Sequence, residues 1–294
     1  MNTGIVQAAL AYAAWGLFPL YFRQVAQVPA FEIVLHRTVW SLVFVMAVLA
    51  AMRRFAWLGP VLRQPRLLLA FATSALLLSG NWLMYVWAVN NGHVIDASLG
   101  YFINPLVYVL LGYLVLKERP RRLQWAAVAL AGAGVLWLTW QGGQLPWIAL
   151  VLAGSFGLYG LMRKTASLGA LEGLALETLL LAPMAVPLLA VWTWRGSSAL
   201  AQADAATVGW LLFAGPLTAV PLLLFASGAR RITLATLGLL QYIGPTLQFI
   251  TGVWLFHEPF QQGKLAGFVM IWMALVVYSA EGIWMSRRRA TAPE

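Results

Sequence analysis

Residues 102–118 read FINPLVYVLLGYLVLKE, and residues 242–258 read YIGPTLQFITGVWLFHE. The segment Phe102-Ile103-Asn104-Pro105, then Gly112, then Lys117-Glu118, is matched by Tyr242-Ile243-Gly244-Pro245, Gly252 and His257-Glu258 at a constant offset of 140 residues. The same offset lays Ala30-Phe31-Glu32 on Ala170-Leu171-Glu172. Two separate matches at one offset indicate a duplicated chain. Half of its 294 residues is enough for five membrane spans of about 20 residues each, with short connections. Five is odd, so the second copy must sit upside down relative to the first. Inverted repeats place a substrate site near the bilayer midplane in many secondary transporters.

The rest of the sequence supports membrane spans. Apolar residues make up 62% of the chain and charged residues 10%, with a mean hydropathy of +0.80. An average soluble domain is about one-quarter charged. This composition leaves too little polar surface for a soluble enzyme, a secreted disulfide scaffold or a disordered chain. The absence of cysteine removes thiolate metal sites and a cysteine nucleophile. The net charge of +10 fits basic loops beside anionic headgroups. No basic patch carries interleaved aromatics outside the spans, so nucleic acid is not an expected partner. Met1 to Gly4 lack a basic leader region and no small-residue cleavage site follows, which predicts a retained first span.

Apolar runs broken by charge, Gly and Pro predict ten spans, at 4–22, 30–52, 67–90, 95–116, 123–141, 145–162, 170–194, 207–228, 234–256 and 264–285. Asn90-Asn91-Gly92-His93 and Gln141-Gly142-Gly143-Gln144 read as polar turns. Five alternate connections, including the tail, hold fifteen basic residues, among them Arg53, Lys117, Arg163, Arg230 and Arg287. The opposite side holds three, Arg23, Arg195 and Lys264. The positive-inside rule then places both termini in the cytoplasm. The expected fold is an all-α polytopic membrane protein. It has ten transmembrane helices as two inverted five-helix repeats, 1–141 and 145–285, and a cytoplasmic tail over 286–294.

Further motifs run in order along nearly the whole chain. They include Gly16-Leu17-Phe18-Pro19-Leu20-Tyr21-Phe22-Arg23, His36-Arg37-Thr38-Val39-Trp40-Ser41, Asn81-Trp82 and Ala97-Ser98-Leu99-Gly100-Tyr101-Phe102-Ile103-Asn104-Pro105. The second half adds Leu240-Gln241-Tyr242-Ile243-Gly244-Pro245 and His257-Glu258-Pro259-Phe260. This pattern resembles the RarD-type proteins, which implies the EamA fold of the drug/metabolite transporter superfamily in a bacterial cytoplasmic (inner) membrane. The resemblance does not name a substrate.

Ionisable and amide groups inside spans are costly and usually face a cavity or a partner. Arg37 lies about 10 Å from the end of its span, far for snorkelling to the interface, and is read as a substrate-binding residue. The competing reading has it bonded to helix-end carbonyls. His36 shares a helix face with Glu32 and is either that residue's neighbour or a titrating group. Glu177 is the repeat counterpart of Arg37, although their depths differ by about 10 Å, which argues against direct contact. Glu32 and Glu172 are expected near span ends. Asn81, Tyr85, Tyr101, Asn104, Gln241 and Gln248 are read as a polar, aromatic lining. Pro105 and Pro245 occupy matching places and are read as a pair of hinges.

The function expected from these features is secondary transport, by export, of a small amphipathic or aromatic organic metabolite by alternating access. A channel or a non-transporting sensor is the alternative. A membrane enzyme is disfavoured, because there is no His-Glu-x-x-His or paired-aspartate motif and there are only three histidines. No cofactor or metal is expected. The expected partners are a small-molecule substrate, the lipid bilayer and, if transport is coupled, protons. Either a monomer or a homodimer is compatible with both repeats lying in one chain.

Overall fold

The computed structural model describes residues 2–90, 94–142, 147–255 and 262–290. The turn residues Asn91, Gly92, His93, Gly143 and Gln144, the His257-Glu258-Pro259-Phe260 motif and residues 291–294 lie outside the described residues. Among the described residues every regular element is helical. They are α1 (Thr3–Gly16), α2 (Phe18–Gln24), α3 (Ala30–Ala51), α4 (Leu58–Leu62), α5 (Pro65–Asn90), α6 (Val94–Leu114), α7 (Arg122–Gly142), α8 (Trp147–Thr165), α9 (Ala170–Trp194), α10 (Ala199–Gln202), α11 (Ala205–Ala229), α12 (Leu234–Gln241), α13 (Ile243–Ile250), a π-helical turn (Thr251–Leu255) and α14 (Gln262–Ala290).

Six described helical stretches are long and apolar enough to cross a membrane: Thr3–Gln24, Ala30–Ala51, Pro65–Tyr85, Arg122–Gln141, Ala170–Gln202 and Ala205–Ala229. Shorter apolar runs lie in α6 (Gly100–Leu114) and α14 (Leu265–Tyr278). The helix α14 continues to Ala290, so residues 286–290 of the expected tail are helical. The span expected over 234–256 is interrupted at Tyr242. Pro245 has no N–H to give the Gln241 carbonyl, so one intrahelical hydrogen bond is missing beside the interruption. The first span breaks in the same manner at Leu17, with Pro19 in the first turn of α2. Pro105 also lies inside a helix, yet α6 runs past it unbroken. The two prolines expected to act alike therefore sit in different backbones.

Caps fix the helix starts. Asn2, Asp204 and Thr233 accept from the free backbone N–H groups of Gly4, Thr207 and Thr236. The first turn of α12 is also held from the other half of the chain, because the Glu118 carboxylate accepts from Leu234 and Ala235 N–H. A carboxylate at a helix N-terminus offsets the partial positive charge there.

Helix α3 packs on α9 and α11, α1 on α11 and α13, α6 on α8 and α12, and α7 on α14. The main core holds Tyr12, Tyr108, Tyr159 and Phe225, and the rings of Tyr159 and Phe225 stack at 5.9 Å. Close helix approach requires Gly238, where a Cβ would come within 2.8 Å of the Pro105 carbonyl oxygen. On the outer surface Trp140, Trp194 and Trp254 are almost fully exposed. That placement suits indoles at a lipid–water boundary. Arg163, expected in a loop, instead lies in the last turn of α8 and is 2% exposed.

Candidate functional site

A cavity of about 410 Å³ lies between α1, α2, α3, α5, α6 and the α12–α13 segment. Its lining runs from Tyr12 and Trp15 in α1 to Val25 and Ala26, and Ala26 is exposed at the surface. Eight aromatic residues line it: Tyr12, Trp15, Phe18, Phe22, Trp82, Tyr85, Tyr101 and Phe156. The polar groups that reach it are Arg37, Asn81, Gln241, Gln248 and the tyrosine hydroxyls. An annex of about 10 Å³, about one water in size, adjoins it at Asn81, Tyr101, Asn104 and Gln241. Of the sequence-predicted lining, Arg37, Asn81, Tyr85, Tyr101, Gln241 and Gln248 therefore line the cavity, Asn104 lines the annex, and Pro245 lies in the cavity wall.

Arg37 is the one charged residue in the described lining. Helix α3 carries it inward, leaving it 7% exposed. Its Nε donates to Thr218 Oγ1 of α11 at 2.9 Å. Its guanidinium lies over the Trp82 ring, 4.1 Å from the centroid, and 5.3 Å from that of Phe18. Cation–π contact of this kind is worth about 2 kcal/mol when water is excluded. The hydroxyls of Tyr21, Tyr85 and Tyr101 lie close enough to feel its charge. Among the described residues no carboxylate pairs with it and no protein group accepts from its Nη nitrogens.

The amides are held by hydrogen bonds that leave particular atoms over. Asn81 Nδ2 donates to the Leu152 carbonyl and Ser155 Oγ, at 2.8 and 2.9 Å, which leaves Oδ1 as an acceptor. Asn104 Nδ2 donates to Gln241 Oε1, leaving the Gln241 amide N–H groups. Gln248 Nε2 donates to the Trp15 carbonyl at 3.3 Å. The rings of Tyr85 and Tyr101 meet edge to face at 5.8 Å. Pro105 and Pro245 withhold the hydrogen bonds that Tyr101 and Gln241 carbonyls would otherwise accept, four residues back in each case.

His36 and Glu177 lie outside the cavity lining. The His36 ring is fully buried; Nδ1 accepts from Trp40 Nε1 at 3.1 Å and Nε2 is 3.6 Å from Glu32 Oε1. Both neighbours sit four residues away on the same helix; Nδ1 is hydrogen-bonded, and Nε2 faces Glu32 beyond hydrogen-bond distance. Glu177, 1% exposed, accepts from Ser74 Oγ at 2.5 Å and lies 3.6 Å from Arg163 Nη1. Arg163 Nη2 donates to the Ala170 carbonyl. Glu32 is buried and accepts from Ala199 N–H, while Glu172 pairs with Arg54 at 2.7 Å. Sequence reasoning missed Thr218, because a lone threonine in an apolar helix usually bonds its own backbone. It also missed the walls given by Tyr12, Trp15 and Phe156, which read as ordinary span aromatics.

Residues 2–140 match the EamA-like transporter family. A Pseudomonas aeruginosa protein named as an uncharacterized transporter is 46% identical over 100% of this chain and 98% of its own. Protein RarD of Escherichia coli is 43% identical, covering 97% and 96% of the two chains. An uncharacterized transporter of Bacillus subtilis is 45% identical over 94% of this chain and 93% of its own. A solved structure titled only as the crystal structure of a protein superposes with a TM-score of 0.72 over 94% of this chain and 97% of its own, at 17% identity. That likeness concerns the fold alone. With an all-helical, apolar, multi-pass architecture and relatives this similar over their whole length, the chain belongs to the RarD-type proteins of the EamA-like transporter family.

Proposed function

We propose that this protein is a secondary transporter that exports a small amphipathic or aromatic organic metabolite by alternating access in the bacterial cytoplasmic membrane. The observation that carries the reading is the cavity of about 410 Å³, aromatic-walled and holding one buried guanidinium that no protein carboxylate neutralises among the described residues. A small-molecule site is mostly apolar with a few placed polar groups, whereas a channel needs a continuous polar path. The proposed frame is ten membrane segments in two inverted halves, with both termini cytoplasmic. Two features support it. Tyr242 Oη donates to the Phe102 carbonyl, and those residues are repeat counterparts. The packing also exchanges under the 140-residue offset: α1 on α11 answers to α8 on α5, and α3 meets its own counterpart α9. In this frame the exposed end of the cavity at Ala26 faces outward and the Arg163–Glu177 pair lies on the inner side. One chain then suffices for function.

The test is a thermal-shift screen of the purified protein against cytosolic metabolites, followed by counterflow of each hit in proteoliposomes. A ligand at 100 times its Kd stabilises the folded state by about 2.7 kcal/mol. Saturable counterflow of a stabilising compound is the expected result. Binding without flux would make the protein a sensor, and non-saturable flux would make it a channel.

A further inference from the structure

We propose that the cavity binds a carboxylate, held end-on by the two Nη nitrogens of Arg37, and that the substrate is a net mono-anion with an aromatic or apolar body. The inference rests on the transport reading and names its substrate class. Thr218 holds Nε at 2.9 Å, and Trp82 covers the guanidinium at 4.1 Å. The donors left are the paired Nη groups at the tip of the fork. Two coplanar N–H donors match the two oxygens of one carboxylate, and such bidentate pairs are the strong, orienting ones.

Charge counting narrows the class further. The described lining holds one cation and no acidic side chain. A guanidinium keeps its charge at any physiological pH. A mono-anion neutralises the site, whereas an ammonium group on the same substrate would find no carboxylate there. A phosphate dianion would exceed the single positive charge. The acceptors left over at Asn81 and Gln248 suit hydroxyl or N–H groups on the body, and the surrounding rings suit an aromatic one.

A net anion also makes export electrogenic. Moving one elementary charge through 100 mV changes the equilibrium ratio about 50-fold, and an inside-negative potential drives an anion outward. No coupling ion is then needed for export.

The test uses four probes on the purified full chain: 3-phenylpropionate, its neutral amide, zwitterionic phenylalanine and phenyl phosphate. Affinity is read by calorimetry in detergent. The acid is expected to bind about 10- to 100-fold tighter than the amide, the worth of a charge-assisted hydrogen bond. Arg37→Gln is expected to weaken the acid by that factor and so erase its preference over the amide. If Arg37→Gln fails to fold, Thr218→Val keeps the charge but frees the fork, and is expected to weaken the acid several-fold and the amide less. Equal affinity for acid and amide, tighter binding of phenylalanine or phenyl phosphate, or no acid binding to the folded wild type overturns the proposal. Acid flux in proteoliposomes, under a potassium-diffusion potential, separates the two levels. Tight acid binding without potential-driven flux would refute transport and leave the carboxylate assignment standing.

Discussion

Glu177→Gln should destabilise the protein more than any other isosteric change at its acidic residues. The carboxylate is 1% exposed, with Arg163 Nη1 at 3.6 Å and Arg163 itself 2% exposed. At an effective dielectric of about 20, two unit charges at that distance attract by about 4.6 kcal/mol. Breaking a buried pair by removing one partner costs about 3–5 kcal/mol. The two estimates agree, and the geometry explains why charge dominates. Arg163 Nε and Nη1 have no hydrogen-bond acceptor, so Glu177 holds the guanidinium by charge alone. The loss should be asymmetric. Glu177→Gln strands a cation that cannot shed its proton. Arg163→Met strands an acid that can neutralise itself by taking one up. Removing both charges together should recover most of the loss, since replacing a whole buried pair is often neutral or stabilising. The assay is the apparent melting temperature of the wild type, both single variants and Arg163→Met/Glu177→Gln in one detergent at one scan rate, because such unfolding is irreversible. The expected order is wild type and double variant together, Arg163→Met below them and Glu177→Gln lowest. A double variant whose loss equals the sum of the singles would refute the argument, since additivity means the two residues do not interact.

Cysteine at Gln202, in this cysteine-free chain, should react with an impermeant maleimide from outside intact cells, and cysteine at Gln64 should not; the reverse would invert the proposed orientation. Pro245→Ala should slow turnover more than Pro105→Ala at equal protein abundance, because only the former proline sits beside a helix break; equal slowing in a proteoliposome assay would remove the distinction. Gly215→Ala should sharply reduce the folded yield by fluorescence size-exclusion, because the new methyl would collide with the Trp40 carbonyl of α3; overpacking costs about 1–3 kcal/mol, and a normal yield would show that α3 and α11 separate freely.

The helical class was legible because apolar runs of membrane length are hard to hide in a composition this poor in charge. Arg37 stood out for the same reason, as a charge set deep in an apolar helix. What its side chain does was not legible. Thr218 lies 181 positions away and Trp82 belongs to another helix, so only tertiary packing brings them to the guanidinium. His36 is the opposite case: its neighbours Glu32 and Trp40 sit one helical turn away on either side, a local arrangement readable from spacing alone and lying outside the cavity lining. Arg163 was assigned to a loop because charge after an apolar run usually marks a span end. Here Glu177 and the Ala170 carbonyl draw it inward instead. The sequence also set Pro105 and Pro245 at matching places. It could not tell that neighbouring residues keep one helix whole while the other is interrupted at Tyr242.

That difference has a mechanical consequence. An unbroken rod such as α6 transmits a push along its length, whereas α12 and α13 form two short levers meeting at Tyr242. The rod is linked to the levers by Asn104 to Gln241 at the elbow and by Phe102 to Tyr242 beside it, and the connection just past the rod holds the foot of α12 through Glu118. Under the proposed alternating-access reading, torque on α6 reaches the elbow through these bonds. In that reading the wall bearing Gln241 and Gln248 is the one that yields, and the wall bearing Tyr101 is the anvil it works against.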